Sequence, residues 1–169
     1  MPKSLTEKDW SILLGRIRDG RCTPFLGPEA CYPVLPPGNQ LAHEWAEKCG
    51  YPLDDAIDLA RVAQFLGVDV DPVHPKEKLA EEFKDVAAPD FTDPHEPHSV
   101  LADLPLPVYL TTNYDDFMTQ ALTSRHRDAK TEYCRWNKYI REEPTIFDLT
   151  PGLIPTVANP VVFHLHGLM

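Results

Sequence analysis

The residues able to do chemistry lie in three short stretches. His164 and His166 alternate along Phe163-His164-Leu165-His166-Gly167. Asn113 stands with Asp115 and Asp116 in Thr111-Thr112-Asn113-Tyr114-Asp115-Asp116-Phe117, and Gly27 closes the run Thr23-Pro24-Phe25-Leu26. Histidine changes charge near neutral pH, so this pair includes a candidate general base. Alternation along a strand puts both imidazoles on one face, which also suits two histidines hydrogen-bonded at a strand end and, less well, a metal pair. A zinc site needs three or four ligands, and no third of suitable spacing accompanies them, so no metal is expected. Asn113 taken alone reads as a helix cap, with Asp115 and Asp116 complementing the positive end of the helix dipole.

These residues need elements to hold them. Residues 6–19 read as a helix, with Trp10, Leu13, Leu14 and Ile17 on one stripe and Thr6 with Asp9 as a capping box. That stripe is expected to lean on the core. Residues 23–27 read as a first buried strand entering a turn. Helical patterns follow at about 40–49, 54–66, 75–87 and 98–104, forming a helical insertion over about 38–104. Val108 to Thr112 reads as a second strand, with Asn113 capping a helix over 114–123. A strand is expected at 131–136, loop over most of 137–159, and a buried strand at 160–165. Strand alternating with helix predicts an α/β fold, a Rossmann-like parallel sheet with helices on both faces. Such sheets bind ligands at the carboxyl ends of their strands. Gly27, Asn113 and His166 each follow one of the three clearest strands, so they are expected to converge.

Composition sets the outer bounds. At 169 residues, with 43% hydrophobic and 25% charged, the chain suits one globular domain over 1–169. Its net charge of -10 argues against a nonspecific grip on nucleic acid or an anionic membrane, and favours a small ligand or a protein partner. The polar start carries neither a secretory signal nor an apolar anchor, so the cytoplasm is the expected compartment. Cys22, Cys31, Cys49 and Cys134 include no close pair, as free thiols would. A dinucleotide dehydrogenase would need a G-x-G-x-x-G turn after the first strand, and the glycines are missing.

The succession Pro97-His98-Ser99-Val100-Leu101-Ala102-Asp103-Leu104, then TTNYDDF, then HLHG resembles that of sirtuins and their bacterial sirtuin-like relatives. The likeness spans about residues 22–167, with Pro24 to Gly27 where that family has its first strand and glycine-rich nucleotide turn. It implies NAD as substrate, cleaved to nicotinamide and ADP-ribose through an oxocarbenium-like state, without a metal. In that role Asn113 orients the nicotinamide-side ribose, Asp115 contacts the nicotinamide carboxamide, and His166 is the base acting on ribose hydroxyls. Gly27, Pro28, Glu29, Ala30 and Cys31, with Thr112, take the cofactor-binding places, and His98 is a structural residue at a helix start. The resemblance further implies an NAD glycohydrolase, an effector of bacterial antiviral defence. Protein deacylases of the family carry a four-cysteine zinc module with paired spacing, which this sequence lacks.

The nucleotide turn departs from the family pattern. Relatives have a turn like Gly-Ala-Gly-Ala followed by Ser or Cys, whereas Gly27 is followed here by Pro28 and Glu29. Proline removes a backbone donor, and glutamate replaces a glycine that lets backbone approach a phosphate. A carboxylate about 6 Å from a phosphate, at an effective dielectric near 20, costs about 3 kcal/mol before screening, roughly a hundredfold in affinity. That cost disappears if the carboxylate points to solvent. The alternative is a noncatalytic nucleotide-binding or interaction module. A sheet of this type is expected to continue beyond HLHG, so the fold reads as truncated at its carboxyl end. Homo-oligomerisation or a downstream partner domain is expected to complete it.

Overall fold

A computed structural model describes residues 4–135, 138 and 140–167 of the chain, and among these described residues there are twelve short elements. In order they are α1 (Glu7–Arg18), β1 (Phe25–Leu26), a 3₁₀ turn (Pro28–Cys31), α2 (Gly38–Cys49), α3 (Leu59–Asp69), α4 (His74–Phe83) and α5 (Pro97–Ala102). There follow β2 (Val108–Thr111), α6 (Phe117–Ser124), β3 (Lys130–Tyr133), α7 (Ile146–Leu149) and β4 (Val161–His164). They fall into two compact units, one of Met1–Gly27 with Asp90–Met169 and one of Pro28–Pro89.

The first unit holds the sheet. Four parallel strands stand in the order β1-β2-β4-β3, the parallel Rossmann-like α/β arrangement expected. Aromatic and β-branched residues dominate β2 and β4, as a pleated buried surface favours. Val161 and Val162 are consecutive and both buried, so the central strand β4 is covered on both faces. Helix α6 buries Phe117, Met118, Ala121 and Leu122 along one stripe. The Phe117 ring meets His98 of α5 edge to face at 6.0 Å.

A buried cation ties this unit together. Helix α6 ends in a Schellman turn: His126, at φ 58, donates its N–H to the Thr123 carbonyl, and Arg127 N–H reaches the Leu122 carbonyl. The turn delivers the Arg127 side chain inward, where the residue is 9% exposed. Its guanidinium donates to the carbonyls of Val157 (2.6 Å), Ala102 (3.0 Å), Leu104 (3.1 Å) and Leu106 (2.5 Å), and to the Tyr109 hydroxyl (3.0 Å). Ala102 is the last residue of α5, so part of the positive charge is met by that helix's carbonyl end. The segments entering β2 and β4 are thereby held by one side chain.

The second unit is helical. Leu41, Ala42, Trp45 and Ala46 of α2 pack with Val62 and Leu66 of α3, each such large side chain stabilising the unit by about 1.5–3 kcal/mol. Gly50 ends α2 in the left-handed conformation that favours glycine (φ 64). Helix α3 starts at Leu59 rather than near residue 54, because the Asp58 side chain accepts from the N–H groups of Ala60 and Arg61 and sets the boundary.

One further expectation needs correction. The capping box of α1 forms between Thr6 and Asp9, yet no residue of the helix is buried. Trp10 is 50% exposed and Leu14 53%, so the stripe does not lean on the core. Periodicity identifies an apolar face without saying what covers it. Within 137–159 a capping box between Thr145 and Asp148 nucleates the short helix α7. Residue 136 of the expected strand lies outside the described residues. No helix among the described residues is long and apolar enough to cross a membrane.

Candidate active site

The carboxyl ends of β1, β2 and β4 lie level. Leu26 pairs with Thr111, and Thr111 with His164, so the last residues of three neighbouring strands form one row. The Leu165 N–H then donates to the Thr111 carbonyl at 2.8 Å, carrying β4 past that row beside β2. Asn113 is two residues beyond Thr111, and His166 two beyond His164. Both leave the sheet at the same edge from adjacent strands, where ligands of parallel sheets bind. Gly27 follows Leu26 at that edge. Pro28, Glu29, Ala30 and Cys31 form a 3₁₀ turn that opens the other unit, with Cys31 buried and Glu29 exposed.

Asn113 is not the helix cap its sequence context implies. Helix α6 starts at Phe117, with Asp116 in the capping position. The Asp115 side chain instead accepts the Phe117 N–H at 3.0 Å, closing a turn over residues that a 114–123 helix would have included. Asn113 is thus 6% exposed on the approach to the helix. Its backbone is pinned from two sides. Its N–H donates to the Thr111 hydroxyl at 3.0 Å, and its carbonyl lies 3.1 Å from His164 Nδ1. Thr112 is committed to β1: its N–H (3.1 Å) and hydroxyl (3.3 Å) both donate to the Leu26 carbonyl.

The two histidines separate. A carbonyl only accepts, so His164 Nδ1 carries the proton in this contact. His164 is 1% exposed, and its Nε2 is buried without a hydrogen-bond partner among the described residues. His166 lies beyond the end of β4 and is exposed. Gly167 follows it at φ 99, a conformation an L side chain rarely adopts. The chain bends at Leu165 and His166, just past the end of β4. Sequence reasoning named both histidines but not their difference in burial, which requires the β2–β4 register.

A buried carboxylate stands one strand further along. Glu132 of β3 is 1% exposed, pairs with Arg135, and accepts the N–H groups of Ile146 (2.7 Å) and Tyr133 (2.8 Å). Burial pushes its carboxyl pKa up, but the Arg135 hydrogen bond and the two N–H groups outweigh that and hold it below the ordinary glutamate value. At the start of α5, Glu96 accepts the Ser99 N–H and lies 2.6 Å from His98 Nδ1, so the buried His98 takes the structural place expected of it.

Comparison with known families adds one decisive match. Residues 107–169 match the family model of the SIR2-like domain. Over this stretch the chain is similar to the SIR2-like domain. The stretch contains β2, α6, β3 and β4, and with them Asn113, Asp115, His164 and His166. The sirtuin-like resemblance is borne out over these residues. No curated protein matches the chain.

Proposed function

We propose that the chain binds NAD at the carboxyl edge of the sheet and hydrolyses the bond between nicotinamide and ribose, as an effector of bacterial antiviral defence. The observation that carries this reading is the common register of Asn113 and His166. They leave adjacent strands at one level, and the His164 contact to the Asn113 carbonyl joins their two motifs. The place of both residues in the stretch similar to the SIR2-like domain supports NAD as the ligand. In the reaction Asn113 orients the ribose and Asp115 meets the carboxamide. His166 accepts a proton from a ribose hydroxyl as positive charge develops on the sugar. Water adds to the ribose carbon, nicotinamide leaves, and one proton is released. An exposed imidazole suits this role because it exchanges its proton with solvent.

The test is nicotinamide release from NAD by the purified chain and its His166→Ala variant, both shown folded by circular dichroism. Release by the parent and its loss in the variant is the expected result. Equal release by both would end the assignment of His166 as base. The turn at Pro28 and Glu29 favours a second reading, a nucleotide-binding module without catalysis. NAD binding by calorimetry with no release from the parent would decide for it. Because Glu29 is exposed, Glu29→Gly is expected to strengthen NAD binding by well under the hundredfold of an unscreened pair.

A further inference from the structure

We propose that α1 is a self-association surface, pairing antiparallel with α1 of a second copy of the chain. The helix spans 12 residues, and Trp10, Leu13, Leu14 and Ile17 repeat at the spacing of an apolar seam. Trp10, Leu13 and Leu14 are 50%, 36% and 53% exposed. An exposed seam of this composition, on a helix that buries none of its residues, calls for an external partner.

Charge selects a second copy as that partner, and also the direction of pairing. The first turn carries Glu7 and Asp9, the last Arg16 and Arg18. Asp9 and Arg16 flank the seam on the same side, seven residues apart. In an antiparallel pair with Trp10 against Leu13 of the second copy, Asp9 lies beside Arg16 of the second copy, and the two-fold axis repeats the contact. A parallel pair carries the two Asp9–Arg16 edges to opposite sides of the seam, so neither ion pair forms. The chain as a whole carries -10, which opposes self-association through its acidic surface. Within Glu7–Arg18 three basic residues (Lys8, Arg16, Arg18) outnumber two acidic ones (Glu7, Asp9), so this is a stretch where two copies can meet without that penalty. One helix pair buries less than the roughly 1,200 Å² at the low end of specific interfaces, so the dimer is weak and concentration-dependent.

This inference is independent of the proposed reaction. Sedimentation equilibrium of the full chain across the micromolar range is expected to show a monomer–dimer equilibrium that weakens as salt is added. Leu13→Glu is expected to leave only monomer. Arg16→Glu, at a solvent-exposed position where folding is not at stake, is expected to weaken the dimer about tenfold by replacing two ion pairs with like-charge contacts. Circular dichroism confirms that each variant keeps the parent's helix content. A parent that stays monomeric throughout, or a dimer that Arg16→Glu leaves unchanged, overturns the proposal.

Discussion

Replacing Arg127 with methionine tests whether one buried guanidinium holds the segments leading into β2 and β4. Methionine keeps much of the aliphatic volume and removes every donor. Four carbonyls, those of Ala102, Leu104, Leu106 and Val157, and the Tyr109 hydroxyl then lose this partner. Each buried polar group left unsatisfied costs about 1–3 kcal/mol. Tyr109 keeps the bond its hydroxyl already donates to the Leu101 carbonyl at 3.1 Å, and water can reach the acceptors nearest the surface, which lowers the sum. Removing the cation also ends its desolvation cost. The expected net loss is about 3–5 kcal/mol, comparable to breaking a buried ion pair. For a chain of this size that lowers Tm by roughly 10 °C. Arg127→Lys keeps the charge but offers three donors in place of five and no planar fork, so a loss of about 1–3 kcal/mol is expected. Urea unfolding followed by far-ultraviolet circular dichroism measures both. A methionine variant within about 0.5 kcal/mol of the parent, the range of ordinary surface substitutions, would refute the role given to this side chain.

Four further outcomes follow from the same geometry. His126→Gly relieves a left-handed conformation at the end of α6 and is expected to stabilise the chain by about 1 kcal/mol; a destabilised variant would count against the Schellman turn. Glu132 has a folded pKa below its ordinary value of 4.5, so its contribution is present above that pH and is lost as pH falls through the folded value. Glu132→Gln is therefore expected to cost about 3 kcal/mol at neutral pH and to flatten the acid limb of stability against pH, and an unchanged acid limb would contradict this. Gly167→Ala is expected to cost about 1–2 kcal/mol of strain at φ 99, and urea unfolding indistinguishable from the parent's would contradict this. His164→Leu removes the donor to the Asn113 carbonyl and is expected to slow nicotinamide release by roughly ten- to a hundredfold. His164→Asn, whose amide can take the place of Nδ1, should restore part of it, and equal rates in both variants would show the contact to be idle.

What could be read in advance, and what could not, follows the range of the forces involved. The strand at 160–165 was legible because consecutive β-branched and aromatic residues leave few alternatives to a buried strand, and Val161 and Val162 are buried there. The same local logic misplaced the start of α6. Asparagine followed by two acidic residues and an apolar stripe fits a helix starting at either 114 or 117, and the choice falls on one bond, from the Phe117 N–H to Asp115. Arg127 lies in the charged run Arg125-His126-Arg127-Asp128, which reads as a solvated loop. Its burial depends on carbonyls more than twenty positions away, which no local pattern encodes. The histidines show both limits together. Alternation put His164 and His166 on one face as equals. The sheet makes them unequal, because β4 ends between them. His164 stays inside the register with Nδ1 on the Asn113 carbonyl, while His166 lies past the strand end and is exposed. A histidine held by the fold and a histidine open to solvent are different chemical objects. The strand end at residue 164 decides which is which.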